Sequence, residues 1–182
     1  MRLVATEYLS LDGVFEEPGH WSFPYFTEEA AQFKLAELRA SDALLLGRRT
    51  YEGFAAAWPK MEGTGEFGEK MNTMPKYVIS STLAEVGWSG ARLVKGDVVE
   101  AVSNLKKEPG HDLLLSGSGQ LFNAMMQAGL IDVYRLMMHS IVLGNGRRLF
   151  PEGSPEKVLE LTDTKTLGPG IVVMEFRPPK KA

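Results

Sequence analysis

Leu44-Leu45-Leu46-Gly47-Arg48-Arg49-Thr50-Tyr51-Glu52 is the stretch that decides how this chain is read. Its leucines continue an apolar run from Ala43 with no polar alternation, so both faces of the segment are expected to be buried. Gly47 stops the run, and a helix is predicted from Arg48 to about Ala56. A strand covered on both faces that passes at once into a helix is the building unit of an α/β sheet. Two arginines at a helix start oppose the helix macrodipole. An anion held between the free N–H groups and the guanidinium groups removes that conflict. Two solvated surface arginines are the alternative.

The same pattern recurs on both sides. Tyr77 to Ile79 is an apolar run closed by Ser80-Ser81-Thr82. Leu113 to Leu115 runs into Ser116-Gly117-Ser118-Gly119-Gln120-Leu121-Phe122, which opens a helix reaching Ala128, with Gly129 as its stop. Arg2 to Leu11 reads as a strand ending at the Asp12-Gly13 turn, and Arg92 to Val94 as a short one. Thr27 caps a predicted helix to about Ala40, with Glu28 and Glu29 in its first turn. Asp97 caps another to about Lys106. Beyond Gly129 the character changes. Val133 to Leu143 reads as a long strand stopped by Gly144-Asn145-Gly146. Val158 to Leu167, with Thr162, Thr164 and Thr166 on one face, pairs through Gly168-Pro169-Gly170 with Ile171 to Arg177. The fold class is therefore α/β: one domain over residues 1–177, a mixed and mostly parallel sheet flanked by helices, and an antiparallel C-terminal hairpin. Pro178 to Ala182 is expected to be a disordered tail.

Composition narrows the chemistry. The 182 residues are 44% hydrophobic and 24% charged, which suits one packed domain. The net charge of −3 is wrong for non-specific nucleic-acid binding. With no cysteine, disulfides, thiolate nucleophiles and cysteine-held metals are excluded. His20, His111 and His139 lie too far apart in sequence for a helical metal motif. The N-terminal segment lacks the pattern of a signal peptide, because Glu7 and Asp12 break its apolar run. No segment approaches the roughly 18 apolar residues of a membrane span. A soluble cytoplasmic protein is the expectation.

Three turns are candidate phosphate holders: Gly47 to Thr50, Ser80 to Thr82, and Gly117 to Leu121. Each follows a strand, and in open α/β sheets ligands bind beyond the carboxyl ends of strands. The glycine-rich turn is not the Rossmann fingerprint, since Phe122 ends it and no acidic residue follows at the ribose position. Taken singly, each turn has a purely structural reading. Taken together, on parallel neighbouring strands, they converge on one extended polyanion. A phosphorylated dinucleotide fits, and the arginine pair favours NADP over NAD.

These pieces resemble the dihydrofolate reductase-like family. More narrowly, they resemble the C-terminal reductase domain of bifunctional riboflavin-biosynthesis deaminase/reductases and its stand-alone relatives. Ser10-Leu11-Asp12-Gly13, Gly47 to Glu52, Lys76 to Thr82, Gly117 to Phe122 and Val142 to Phe150 carry the resemblance across nearly the whole chain. It implies an eight-stranded sheet with NADPH across its strand ends. Gly47, Arg48, Arg49, Thr50, Ser80, Ser81 and Thr82 would hold the adenosine phosphates. Gly117, Ser118, Gly119, Gln120 and Leu121 would hold the pyrophosphate. The loop Asp12 to Phe26 would cover the nicotinamide, and Leu143 to Phe150 would lie near the substrate pocket and a homodimer contact. Ser10, Trp21 and Phe54 fall on the substrate side. Asp12 and Glu29 are the candidate catalytic carboxylates, against a turn aspartate and a first-turn helix charge respectively. The implied activity is hydride transfer to a small, pterin- or pyrimidine-like substrate. The alternative is an NADP(H)-binding module without turnover.

Overall fold

The computed structural model describes residues 1–180. Its strands are β1 (Arg2–Ser10), β2 (Ser41–Gly47), β3 (Lys76–Ile79), β4 (Ala91–Val94), β5 (Asp112–Ser116), β6 (Val133–His139), β7 (Glu160–Thr166) and β8 (Ile171–Arg177). Its helices are α1 (Glu28–Arg39), α2 (Arg48–Ala57), α3 (Gly65–Thr73), α4 (Val98–Lys107) and α5 (Gly119–Gln127). One eight-stranded sheet runs in the order β4-β3-β2-β5-β1-β6-β8-β7. The first six in that order are mutually parallel, and β8 turns antiparallel to both β6 and β7. The architecture is the expected α/β sheet with an antiparallel C-terminal hairpin.

Alternation along the strands divides the core in two. Leu45, Leu3, Ala5, Leu113 and Leu115 face Val102, Leu105, Phe122 and Met125 of α4 and α5. Leu44, Leu46, Val4, Val78 and Leu114 face Leu38, Tyr51 and Met71 of α1, α2 and α3. The uninterrupted leucine runs of β2 and β5 follow from this two-sided covering. Tyr51 also serves the loop before β4: its hydroxyl oxygen accepts the Gly87 and Trp88 N–H groups at 2.9 and 3.2 Å.

The structure departs from the sequence expectation in three places. Helix α3 was not foreseen, because Gly63, Gly65 and Gly68 crowd that segment. It forms because Met71 enters the core, and Gly68 is required there: a Cβ would sit 1.8 Å from Thr64 Oγ1. Strand β6 ends at His139 rather than Leu143. Ser140 N–H donates to Gly170 O and Ile141 N–H folds back on His139 O, so the ladder stops. The strand expected over Val158 to Leu167 is shorter, Glu160–Thr166, and all seven residues of this edge strand are exposed. Pro178 to Lys180 carry no regular structure, and the rest of the expected tail, residues 181–182, lies outside the described residues. Among the described residues no helix is long and apolar enough to cross a membrane.

Leu45, fully buried at the middle of β2, is expected to cost about 2–5 kcal/mol of unfolding free energy when changed to Ala. A urea titration should show this as a lowered midpoint. Val172→Thr, on the exposed side of β8, should shift it by no more than about 0.5 kcal/mol.

Candidate functional site

Because β1 to β6 are parallel, their carboxyl ends share one edge of the sheet: Ser10, Gly47, Ile79, Val94, Ser116 and His139. Two turns at this edge are stitched together. Gly47 N–H donates to Ser118 Oγ at 2.7 Å, and Ser118 Oγ–H donates to Thr50 Oγ1 at 2.8 Å. Ser118 adopts a left-handed backbone, φ 64°. Gly117 has φ +60°, and a Cβ there would lie 3.1 Å from Thr50 Oγ1. Helices α2 and α5 therefore begin side by side. Neither start is capped by a side chain, whereas Thr27 caps α1 and Asp97 caps α4. Two adjacent sets of uncapped N–H groups form a natural anion cradle.

The other expected phosphate residues divide by geometry. The Ser80 hydroxyl is buried and accepts the Thr82 and Leu83 N–H groups at 3.2 and 3.0 Å, so it shapes the turn after β3. Ser81 and Thr82 are exposed there. Arg48 pairs with Glu52 at 3.1 Å. Arg49 is exposed beside Glu16, whose carboxyl is held below its usual range by Arg147 hydrogen bonds and further by the charges of Arg147 and Arg49. Gln120 is exposed, and Leu121 is buried beneath α5.

The loop Asp12 to Phe26 closes on this edge through Asp12 and Phe15. Asp12 Oδ1 accepts Ser10 Oγ–H at 2.7 Å and Leu143 N–H at 3.1 Å, and Oδ2 accepts Gly144 N–H at 2.9 Å. Its backbone carbonyl accepts Arg148 Nε–H at 2.9 Å. The Ser10 hydrogen bond, then the Leu143 and Gly144 N–H groups, bring the Asp12 carboxyl down to about 2. Both of its oxygens are engaged in these contacts. It latches the β1 turn to the 143–149 loop. Phe15 lies on the bare Cα of Gly119, where a Cβ would be 2.3 Å from its ring.

The expected substrate residues are also engaged. Ser10 Oγ accepts Val14 N–H while donating to Asp12. Trp21 is buried, donates Nε1–H to Glu16 O at 2.9 Å, and stands edge-on to His139 at 5.2 Å. Tyr8 and Tyr25 complete the aromatic wall around His139 at 5.3 and 6.0 Å. Phe54 is half-buried and packs edge-on against Trp58. Glu29 is exposed in the first turn of α1, where Thr27 Oγ1–H reaches it at 3.4 Å. There it carries the negative charge that favours a helix N-terminus.

Sequence reasoning missed a buried charged group. Lys34 and Glu37 are buried on the sheet-facing side of α1 and are hydrogen-bonded to each other. Lys34 Nζ also donates to Thr6 Oγ1 at 2.9 Å. Arg135 on β6 reaches Glu37 at 3.5 Å and Glu175 at 3.0 Å. Burial opposes the charge of Lys34, but Glu37, Tyr8 and Glu7 outweigh it and raise its pKa. Glu7, within β1, is 3% exposed, and its Oε1 has no partner. Burial pushes its carboxyl up to about 8, against the opposing pull of Lys34. The available signal was the charge pattern itself: an acid inside a doubly covered strand, and Lys34 and Glu37 in helical register with Ala30.

Residues 2–173 match the family model described as RibD C-terminal domain. The chain belongs to that family. It is 32% identical to the uncharacterized protein YyaP of Bacillus subtilis (strain 168), over 76% of this chain and 75% of that one. Its fold is similar to that of a protein from Shewanella sp. PV-4 named for riboflavin biosynthesis, with TM-score 0.79 and 19% identity over 99% of this chain and 100% of that one. It is also similar to dihydrofolate reductase from Enterococcus faecalis complexed with NADP(H), with TM-score 0.61 and 18% identity over 97% and 95% of the two chains. A RibD C-terminal domain thus carries the dihydrofolate reductase-like sheet, and its paired helix starts lie at the edge just described.

Two outcomes are expected for this edge. Asp12→Ala should speed amide exchange at Leu143 and Gly144. The folded carboxyl titrates below the ordinary Asp value of about 3.9, so its latching is complete above about pH 4 and weakens as pH falls toward 2. Exchange rates at the two amides across that window check the sign. Gly119→Ala should displace Phe15 and raise exchange over residues 13–16 while leaving the core strands protected.

Proposed function

We propose that this RibD C-terminal domain protein is an NADPH-dependent reductase acting on a small, pterin- or pyrimidine-like heterocycle. The observation that carries this reading is the stitched pair of uncapped helix starts at Gly47–Thr50 and Gly117–Leu121. Family membership and the NADP(H) complex of the Enterococcus faecalis reductase support the choice of dinucleotide.

The residues suit such a cofactor. Gly117 leaves open a place where a Cβ would crowd Thr50, and the Ser118 hydroxyl holds the two helix starts together. The N–H groups opening α5, from Gly117 to Leu121, would hold the pyrophosphate. Those opening α2, with Arg48, Arg49, Ser81 and Thr82, would hold the adenosine phosphates, and Ser80 would keep the third turn in shape. When bound, the dihydronicotinamide supplies a hydride; the protein supplies orientation and exclusion of water. Asp12 would hold the lid hinge rather than donate a proton, and Trp21 and Phe54 would form walls. On this reading the partner is a small molecule, the compartment is cytoplasmic, and copies associate as a homodimer through the 143–150 loop.

The engagement of Asp12 and the exposure of Glu29 favour one second reading: an NADP(H)-binding module without turnover. Steady-state NADPH oxidation across pterin, pyrimidine and quinone substrates separates the two. Tight binding with no turnover on any of them would support the module.

Arg48→Ala combined with Arg49→Ala should weaken NADPH by about 10- to 100-fold, since a charge-assisted phosphate contact contributes roughly 1.5–3 kcal/mol. NADH should be affected far less. Equal loss of both, measured by fluorescence titration, would remove the 2′-phosphate role.

A further inference from the structure

Strand β1 lies inside the sheet, yet one of its residues is open. From Leu3 to Ser10 every residue is buried except Tyr8. Alternation puts Tyr8 on the face that carries Val4, Thr6 and Ser10, the face covered by α1. Its ring packs on the cluster of Ala30, Met137 and Ile171 and stands tilted against His139. Strand β1 pairs with β5 only as far as Thr6↔Ser116, while its pairing with β6 continues to Ser10↔His139. On its β5 side Tyr8 therefore borders a turn instead of a strand, at the edge where the paired helix starts lie. The Tyr8 hydroxyl makes no hydrogen bond among the described residues and is not sealed from solvent.

A cation stands beside this opening. Lys34 Nζ lies 5.4 Å from the centroid of the Tyr8 ring, donates to Thr6 Oγ1 at 2.9 Å and pairs with Glu37. An ammonium has three donors, and those two partners use two of them. The Lys34 side chain is 11% exposed, whereas Glu37, at 1%, is sealed and shared with Arg135. Burial holds the Tyr8 phenol above its usual pKa against the pull of Lys34, so it keeps its proton. Lys34 keeps its charge. The opening thus offers donors, and the neighbouring carboxylates are taken or turned away. Asp12 binds the Leu143 and Gly144 N–H groups, and Glu29 Oε2 sits at the β7–β8 turn, 3.4 Å from where a Gly168 Cβ would be.

A floor of donors selects its ligand by the atoms it can pair. Ring carbonyl oxygens accept hydrogen bonds, whereas an exocyclic amino group donates, and an amidine edge calls for a carboxylate. A donor set against a donor leaves both unpaired, which is costly once water is excluded. We propose that the opening over Tyr8 is the substrate subsite, with the Tyr8 hydroxyl and the Lys34 ammonium as its donors, and that it takes the oxo edge of a heterocycle rather than an amino or amidine edge. The proposal deepens the reductase reading above and takes from it that the substrate is a small heterocycle. The substrate class is then a ring dione or a related oxo heterocycle.

The test compares two ligands that share one ring system, 2,4-dioxopteridine and 2,4-diaminopteridine. Each is titrated by calorimetry at neutral pH into wild type and Tyr8→Phe, with and without saturating NADP+, and NADPH is titrated separately. Wild type should bind the dioxo compound about tenfold or more tighter than the diamino compound, as expected for hydrogen bonds that involve a charged donor. Tyr8→Phe keeps the ring and its packing, so it should fold and bind NADPH as wild type does while losing most of that preference. In protein carrying 13C at the tyrosine ζ carbons, the Tyr8 resonance, assigned by its absence in Tyr8→Phe, should move when the dioxo compound is added. If NADPH binds but wild type binds the diamino compound as tightly or more tightly, or binds neither pteridine, the subsite is overturned and the dinucleotide reading stands. A preference that survives in Tyr8→Phe, or a Tyr8 resonance that does not move, overturns it as well. If NADPH fails to bind wild type, the reductase reading falls, and the pteridine preference and its loss in Tyr8→Phe still decide what the opening takes.

Discussion

Strand β1 is hydrogen-bonded on both sides to Thr6 and on one side only beyond it. That single asymmetry organises the functional edge of the molecule. It lets the chain leave β5 through Gly117 and Ser118 in left-handed conformations, which only a turn free of the ladder can adopt. It brings the start of α5 against the start of α2, where Ser118 bridges Gly47 and Thr50. It also leaves Glu7, the first residue past the β5 pairing, buried with its Oε1 unpartnered.

The edge is closed by polar contacts rather than by apolar packing alone. Asp12 gathers two N–H groups of the 143–144 segment and the Ser10 hydroxyl, while Arg148 binds its carbonyl. Such a latch orders a loop without building a large core beneath it. A lid held by a few hydrogen bonds belongs to the low-stability part of a fold, which is where ligand-gating segments are found. Phe15 on Gly119 is its main apolar seat at the helix start.

The buried ions between α1 and the sheet are the opposite case. Lys34, Glu37 and Arg135 satisfy one another, but well-packed apolar residues there would often be as stable or more so. Trp21 and His139 form part of an aromatic wall, in which His139 Nε2 is buried without a hydrogen-bond partner.

Much of this was legible in the chain. The leucine runs of β2 and β5 announced strands covered on both faces, and the glycines after them announced the turns, because burial and backbone freedom are written into single residues. The Thr27 and Asp97 caps were legible for the same local reason. Helix α3 was not, since three glycines mask a segment that only tertiary burial of Met71 makes helical. The end of β6 was not, because Ile141 N–H folds back on His139 O and the segment beyond it is held by Asp12, from far along the chain. By itself, then, the sequence determined the α/β class, the order of elements and the turns suited to an anion. Tertiary structure alone decided the surroundings of each carboxyl. Asp12 is engaged by distant amides and Glu29 faces solvent, while Glu7 loses its strand neighbour where β5 ends. Register and long-range pairing, not local residue type, set each of those environments.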